Sequence, residues 1–443
     1  MTTGTKRNQG AELYRKAKTL MPGGTQLFGK RSEMHLPDHW PAYYSRAKGC
    51  EIWDLDGRRL IDMHSSGIGT CTLGYADDDV CAAVKAAVDA GTMTTLSPAV
   101  EVELAELLID LHPWSQMVRY TRTGGESMAA AIRIARAYTG RDKVAFCGYH
   151  GWTDWYVSAN LGNSRSLEGH LLPGIPPAGV PQGLRGTILP FQYNQIEQLE
   201  EIVAKYGQDL GVIVLESVRQ DEPQDGFLHK VRQIADDVNA VMILDEITAG
   251  WRHEIGGAHL RYNVEPDIAV FAKAISNGHP MGAILGRAKV MEAAKEVFLS
   301  SSYWTESLGP TAALATIQKI RRIKLPEKLA HAGQQIKEGW RRLADKHGLK
   351  ISISGLPALC NFSLDYGEQA DALRTLLTQE MLDRNYLAAC GFYANLTHTD
   401  QVIRDYLITL DEVFSVLAAA IDQDNIISCL RGPVAKSTFH RLT

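Results

Sequence analysis

The stretch Val241-Met242-Ile243-Leu244-Asp245-Glu246 decides how this chain of 443 residues is read. Four apolar residues make a run short enough for a strand buried on both faces. The run ends in two carboxylates, which puts Asp245 at the carboxyl edge of a parallel strand, where open α/β sheets bind ligands. Two plainer readings stay open on the same residues: a solvated acidic pair in a loop, or a metal ligand.

Outward from this strand the texture repeats. Apolar runs at 117–120, 143–146, 211–215 and 268–271 alternate with helical patches at 80–90, 100–111, 128–138, 196–206 and 231–238. Such alternation predicts βαβ units, hence an α/β fold with a mainly parallel sheet and helices on both faces. Upstream, 50–62 reads as two short strands around the Asp56-Gly57 turn. Past Tyr303 the pattern turns helical (310–323, 326–347, 370–384, 399–419), with short strands at 350–354 and 359–364. The expected organisation is a large domain over 65–320, with 1–64 and 321–443 combining into a second, smaller lobe. The first ten residues and the tail from Arg431 are expected to be loosely ordered.

Composition narrows the class. Hydrophobic residues make up 45% and charged residues 22%, ordinary for a globular chain and far from a disordered one. Lys and Arg number 46 against 51 Asp and Glu, a net charge of -5, which gives no general attraction to nucleic acid or anionic membrane. No apolar run reaches the ~18 residues of a membrane span, and the polar, basic start has no secretory apolar core. The seven cysteines are scattered, odd in number and never spaced CxxC, so a reduced cytoplasmic protein without a zinc cluster is expected.

Two further places stand out. Thr121-Arg122-Thr123-Gly124-Gly125-Glu126-Ser127 follows one strand and opens an Ala-rich helix. A Gly-rich strand-to-helix turn presents free N–H groups at a positive helix end and suits a phosphate. A simple helix cap by Thr123 or Ser127 explains it as well. Lys273 follows the strand at 268–271 and precedes a turn rich in Gly and Pro. Most lysines are surface groups, but one projecting from a sheet edge into a cleft has its ammonium disfavoured and becomes a nucleophilic amine able to form a Schiff base. Phosphate cradle, carboxylate and lysine are together the parts a pyridoxal 5'-phosphate enzyme needs. The lysine holds the cofactor aldehyde, and the carboxylate keeps the pyridine nitrogen protonated so that the ring accepts electrons. Between them, Tyr149 in Gly148-Tyr149-His150-Gly151-Trp152 could stack on the ring or be a core aromatic.

In this order and wording, nearly the whole chain resembles the class III aminotransferases of fold type I, particularly the glutamate-1-semialdehyde aminomutase branch. The most specific evidence is the joint occurrence of Tyr149-His150-Gly151, Leu244-Asp245-Glu246-Ile247-Thr248-Ala249-Gly250-Trp251-Arg252, and Lys273 with Asn277-Gly278-His279-Pro280-Met281-Gly282-Ala283. The resemblance implies a seven-stranded large-domain sheet and a small α+β lobe built from both chain ends. It makes Lys273 the Schiff-base lysine and Asp245 the partner of the pyridine nitrogen. Tyr149 would stack on one ring face and Ile247 on the other. Thr123, Gly124 and Gly125 would grip the phosphate, with Glu126 and Glu216 near the cofactor. Thr305 would reach the phosphate of a neighbouring subunit, which implies a homodimer with shared active sites. Arg31, with Lys30 as alternate, matches the arginine that meets a substrate carboxylate. The loop Ser65-Ser66-Gly67-Ile68-Gly69-Thr70 should line the substrate pocket.

Departures from the family pattern are informative. Arg122 stands where the family usually has Asn, and Gly125 where it has Thr, so backbone N–H groups or Thr123 must do for the phosphate what that hydroxyl would have done. Arg219 stands where relatives have smaller residues; it suits an acidic or polyhydroxylated substrate, and a structural salt bridge explains it equally. The expected activity is an aminotransferase moving an amino group from a small amino donor to an oxo acceptor. The alternatives are an intramolecular aminomutase and a catalytically silent protein that keeps the fold. A dehydrogenase is disfavoured because no glycine fingerprint opens the sheet.

Overall fold

The computed structural model describes residues 8–171 and 173–436. The chain divides into two compact units, Met1–Asp77 with Lys328–Thr443, and Asp78–Glu327.

The larger unit is built on seven strands, named here β1 (Met117–Thr121), β2 (Lys143–Cys147), β3 (Ile188–Pro190), β4 (Leu210–Glu216), β5 (Val241–Asp245), β6 (Ile268–Phe271) and β7 (Gly282–Gly286). They lie in the order β1-β7-β6-β5-β4-β2-β3. β7 runs antiparallel to both its neighbours, and every other pairing is parallel. β4, β5, β6 and β7 are buried at every residue, as strands covered by helices on both faces must be. One core lies on each side of the sheet. Val212, Val214, Val241, Ile243, Ile268 and Val270 pack against the helix Gly124–Thr139, while Ile213, Leu215, Met242 and Leu244 pack against the helices Ile196–Tyr206 and Phe227–Asp237. Alternate residues of β4 and β5 thus enter opposite cores, the period-2 geometry of a strand. The strands β3 and β7 are not announced by any long apolar run; β3 is only three residues long and β7 begins and ends in glycine.

In the smaller unit the hairpin around Asp56-Gly57 forms between Glu51–Asp54 and Arg59–Asp62. Arg59–Asp62 pairs in parallel with Tyr386–Leu387. One sheet therefore joins the two chain ends. The stretch 65–77, assigned to the large domain from sequence, is tied here: Gly49 and Tyr75 exchange backbone hydrogen bonds of 2.9 and 2.7 Å, and Ser66 Oγ donates to Tyr393 O at 2.8 Å. Ser66, Gly67, Ile68 and Gly69 all have positive φ (45, 69, 59 and 74°), making a left-handed turn. For Ser66 and Ile68 that conformation costs roughly 1–2 kcal/mol each.

The tail is a correction. Residues 1–7 and 437–443 lie outside the described residues, but the segment from Arg431 to Lys436 is held in place. Arg431 forms two hydrogen bonds to the Asp383 carboxylate (2.8 and 2.9 Å), and Ala435 N donates to Thr375 Oγ1 at 2.9 Å. Polar side chains made it look loose in sequence; the partners lie some fifty residues away. Asn8–Gly10 is ordered too, with Asn8 capping the helix Gln9–Leu20. Among the described residues, no helix is long and apolar enough to cross a membrane.

Candidate active site

The carboxyl ends of β1, β2, β4, β5 and β6 all lead into one constellation. At β5 the two carboxylates diverge. Asp245 is 3% exposed; its Oδ1 accepts from Ile247 N at 2.9 Å, and its Oδ2 lies 2.8 Å from His150 Nδ1. The other nitrogen of His150 lies 3.1 Å from Cys147 O. Both ring nitrogens of His150 thus face acceptors, a backbone carbonyl on one side and a carboxylate on the other.

Lys273 begins a short turn, Lys273–Ser276, directly after β6. Its φ of 50° is unusual for a residue with a side chain, a strain that tends to be kept at functional positions. Its half-buried side chain donates from Nζ to Thr248 Oγ1 at 2.8 Å. Burial, with the Arg252 guanidinium nearby, lowers its pKa to about 8, against the opposing pull of Glu216 and Asp245. The amine is therefore far closer to neutral than an ordinary lysine.

At the end of β1 the capping reading of the Gly-rich turn is realised. Thr123 Oγ1 accepts from Glu126 N (3.3 Å), and Glu126 Oε2 accepts from Thr123 N (2.9 Å) and Arg122 N (3.1 Å), a capping box. The box consumes those donors and leaves the amides of Gly124 and Gly125 at the positive end of a 16-residue helix. A Cβ on Gly124 would come 3.0 Å from Ile247 Cδ1, which places Ile247 directly beside the turn. A side chain at 124 would push Ile247 Cδ1 back by a few tenths of an ångström.

Tyr149 is held by its backbone. Its N–H donates to Glu216 Oε2 at 3.1 Å, and the preceding Gly148 (φ 112°) donates to His170 Nδ1 at 3.1 Å. A Cβ on Gly148 would meet Glu216 Oε2 at 2.5 Å. Tyr149 is 38% exposed, so it is no core aromatic. Glu216 is buried at the end of β4, which pushes its carboxyl upward, and Arg219 offsets this from 3.4 Å. Arg219 also donates to Gly169 O at 3.2 Å.

One unit thus brings together Thr123, Gly124, Gly125, Tyr149, Glu216, Arg219, Asp245, Ile247 and Lys273. Thr305 lies in the exposed turn Ser302–Thr305 of the same unit, its hydroxyl donating to Ser302 O. Arg31 belongs to the other unit, its guanidinium 4.9 Å from the Phe28 ring, with Lys30 in the turn before it. Sequence reasoning missed His150, Thr248 and His170 as partners. The first two flank residues it had singled out, and that adjacency was the available signal; His170 gave none.

The sequence model of the family described as aminotransferase class-III matches residues 34–411. The chain belongs to that family. It shares 28% identity over 418 residues with the 3-aminobutyryl-CoA aminotransferase of Cloacimonas acidaminovorans (92% of this chain, 96% of that protein). It shares 30% over 422 residues with a glutamate-1-semialdehyde 2,1-aminomutase of a Sulfurihydrogenibium species (91% and 97%). A solved transaminase with pyridoxal phosphate bound superposes with a TM-score of 0.83 at 25% identity, over 94% of this chain and 99% of that one. This class-III aminotransferase has the α/β architecture of fold type I, with its seven-stranded, mainly parallel sheet. Its residues also fit the family's cofactor: unspent amides at a helix start for a phosphate, an amine of lowered pKa, and a buried carboxylate with acceptor capacity to spare.

Proposed function

We propose that Lys273 and Asp245 are the catalytic pair of a pyridoxal-phosphate-dependent aminotransferase that moves an amino group between an amino compound and an oxo acid. When bound, the cofactor supplies a ring that accepts the electron pair left as a substrate C–H bond breaks. The observation that carries the reading is Lys273: strained, half-buried, its pKa lowered to about 8, on the same sheet edge as the buried Asp245. Its Nζ would hold the cofactor aldehyde, and its amine would take the proton at the substrate's Cα. Thr248 orients that amine. Asp245, fixed by His150 and Ile247 N, keeps a proton at the pyridine nitrogen. Tyr149 and Ile247 flank the ring, and Glu216 sets the Tyr149 turn. Thr123, Gly124 and Gly125 hold the phosphate. Arg31 is the substrate-carboxylate candidate. Arg219, engaged by Glu216 and Gly169, has the weaker claim.

The same reading makes the protein a homodimer in which Thr305 serves the partner's site. Support comes from the large apolar side chains Phe298, Tyr303, Trp152 and Leu96, each more than two-thirds exposed on the cofactor-binding unit. It also places the enzyme in the reducing cytoplasm, in keeping with seven cysteines none of which forms a disulfide. The aminomutase relative supports an intramolecular variant on the same groups. Net transfer to an oxo acid supports the transferase, and isomerisation without a co-substrate supports the mutase.

Borohydride reduction of the holoenzyme followed by peptide mapping tests the assignment. Cofactor mass should appear on the peptide carrying Lys273 and be absent from Lys273→Ala. Label on a different lysine would overturn it.

A further inference from the structure

Arg122, the residue that replaces the family's Asn beside the cradle, buries its side chain against Glu306, Thr121 and Met281. The side chain is only 9% exposed, and Nε lies 2.6 Å from Glu306 Oε1. One terminal nitrogen donates to Glu306 O at 2.8 Å, and the other to Thr121 O at 2.9 Å with Met281 Sδ at 3.7 Å. Glu306 is itself anchored: its carboxylate accepts from Leu308 N at 2.6 Å and Gly309 N at 2.9 Å, capping the helix Leu308–Ile323. Meanwhile the backbone N–H of Arg122 is bound by Glu126 Oε2 at 3.1 Å. The residue entering the cradle is thus held from one side by its N–H and from the other by its guanidinium.

We propose that Arg122 is a positioning residue for the cofactor phosphate, fixing the Thr123–Gly125 turn to the Glu306 helix start so that the free amides are aligned before the anion arrives. Prior alignment raises affinity because less freedom is lost on binding. Asparagine is too short to reach Glu306, so the anchor is particular to arginine and compensates for the hydroxyl that Gly125 does not offer. The proposal rests on reading 123–125 as the phosphate cradle.

Titrating apoprotein with pyridoxal phosphate and, separately, with pyridoxal tests it. Arg122→Gln should weaken pyridoxal phosphate about tenfold and change pyridoxal less than twofold. Glu306→Gln should weaken pyridoxal phosphate in the same direction but by less, about threefold, and it guards against a folding failure of the first variant because Glu306 O and Thr121 O still accept from the guanidinium. The double variant should be no weaker than Arg122→Gln alone, as for groups acting as a unit. Equal loss for both ligands would mean a merely structural role and overturn the proposal. Gly125→Asp, which sets a carboxylate in the turn, separates the two readings. If it too leaves pyridoxal phosphate affinity intact, the cradle reading fails. If it abolishes affinity while Arg122→Gln and Glu306→Gln stay within twofold of wild type, only the role of Arg122 fails.

Discussion

Asp245 and Glu246 leave the same strand one residue apart, each beside a buried histidine, yet their hydrogen-bond surroundings differ. Glu246 is fully buried. Its Oε1 accepts from His259 N (2.9 Å) and His259 Nδ1 (2.7 Å), and its Oε2 accepts from Ala258 N (2.9 Å). His259 Nε2 in turn accepts from Trp114 Nε1 at 3.2 Å, so both ring nitrogens are engaged. His150 faces an acceptor on both nitrogens, Cys147 O and Asp245. Asp245 has two partners against three for Glu246, out of roughly four acceptor positions on a carboxylate. The closed pair is suited to holding structure. The open pair, with acceptor positions left over, is suited to meeting a ring nitrogen.

Three substitutions would break or sharpen this contrast. Asp245→Asn should keep the fold and lower kcat by about 10² to 10³, the usual scale for removing a charge that stabilises the reacting state. Normal turnover by that variant would remove Asp245 from the mechanism. His150→Phe deletes only the orienting partner, so a smaller drop is expected, roughly 10- to 100-fold as for other outer-shell groups. A rate within twofold of wild type would make His150 a packing residue.

Glu246→Gln should affect rate least, within about twofold per folded molecule, while costing about 1–3 kcal/mol of stability for mismatched buried hydrogen bonds. Burial pushes the Glu246 carboxyl up, but the hydrogen bonds from His259 and Ala258 outweigh it and hold it below the usual glutamate value. Because the folded pKa is depressed, its contribution is complete above the ordinary glutamate range and is lost as pH falls through the lowered value. The gap in urea midpoint between wild type and Glu246→Gln should therefore be full near pH 7 and narrow on acidification. A gap that widened in acid would contradict the closed-pair description.

Much of the fold around the candidate site was legible where local pattern sets the elements. The helix at 100–111 and the strand at 268–271 have the bounds their periodicity predicts. The helix after the cradle begins four residues earlier than expected, at Gly124, because the capping box rather than the apolar face sets its start. Short or glycine-bounded strands were not legible, since Ile188–Pro190 and Gly282–Gly286 are defined by the neighbours they pair with.

From the order of its residues alone, this chain determines a parallel sheet whose edge carries Asp245 and Lys273, because alternating apolar runs and helices have few ways to bury themselves. What those residues hold was decided only by the tertiary structure: His150 on Asp245, Thr248 on Lys273, Glu216 on Arg219, Glu306 on Arg122. A charged side chain takes as its partner whatever complementary group folding brings within about 3 Å, and residues such as Arg122 and Glu306, far apart along the chain, give no periodic signal of that meeting.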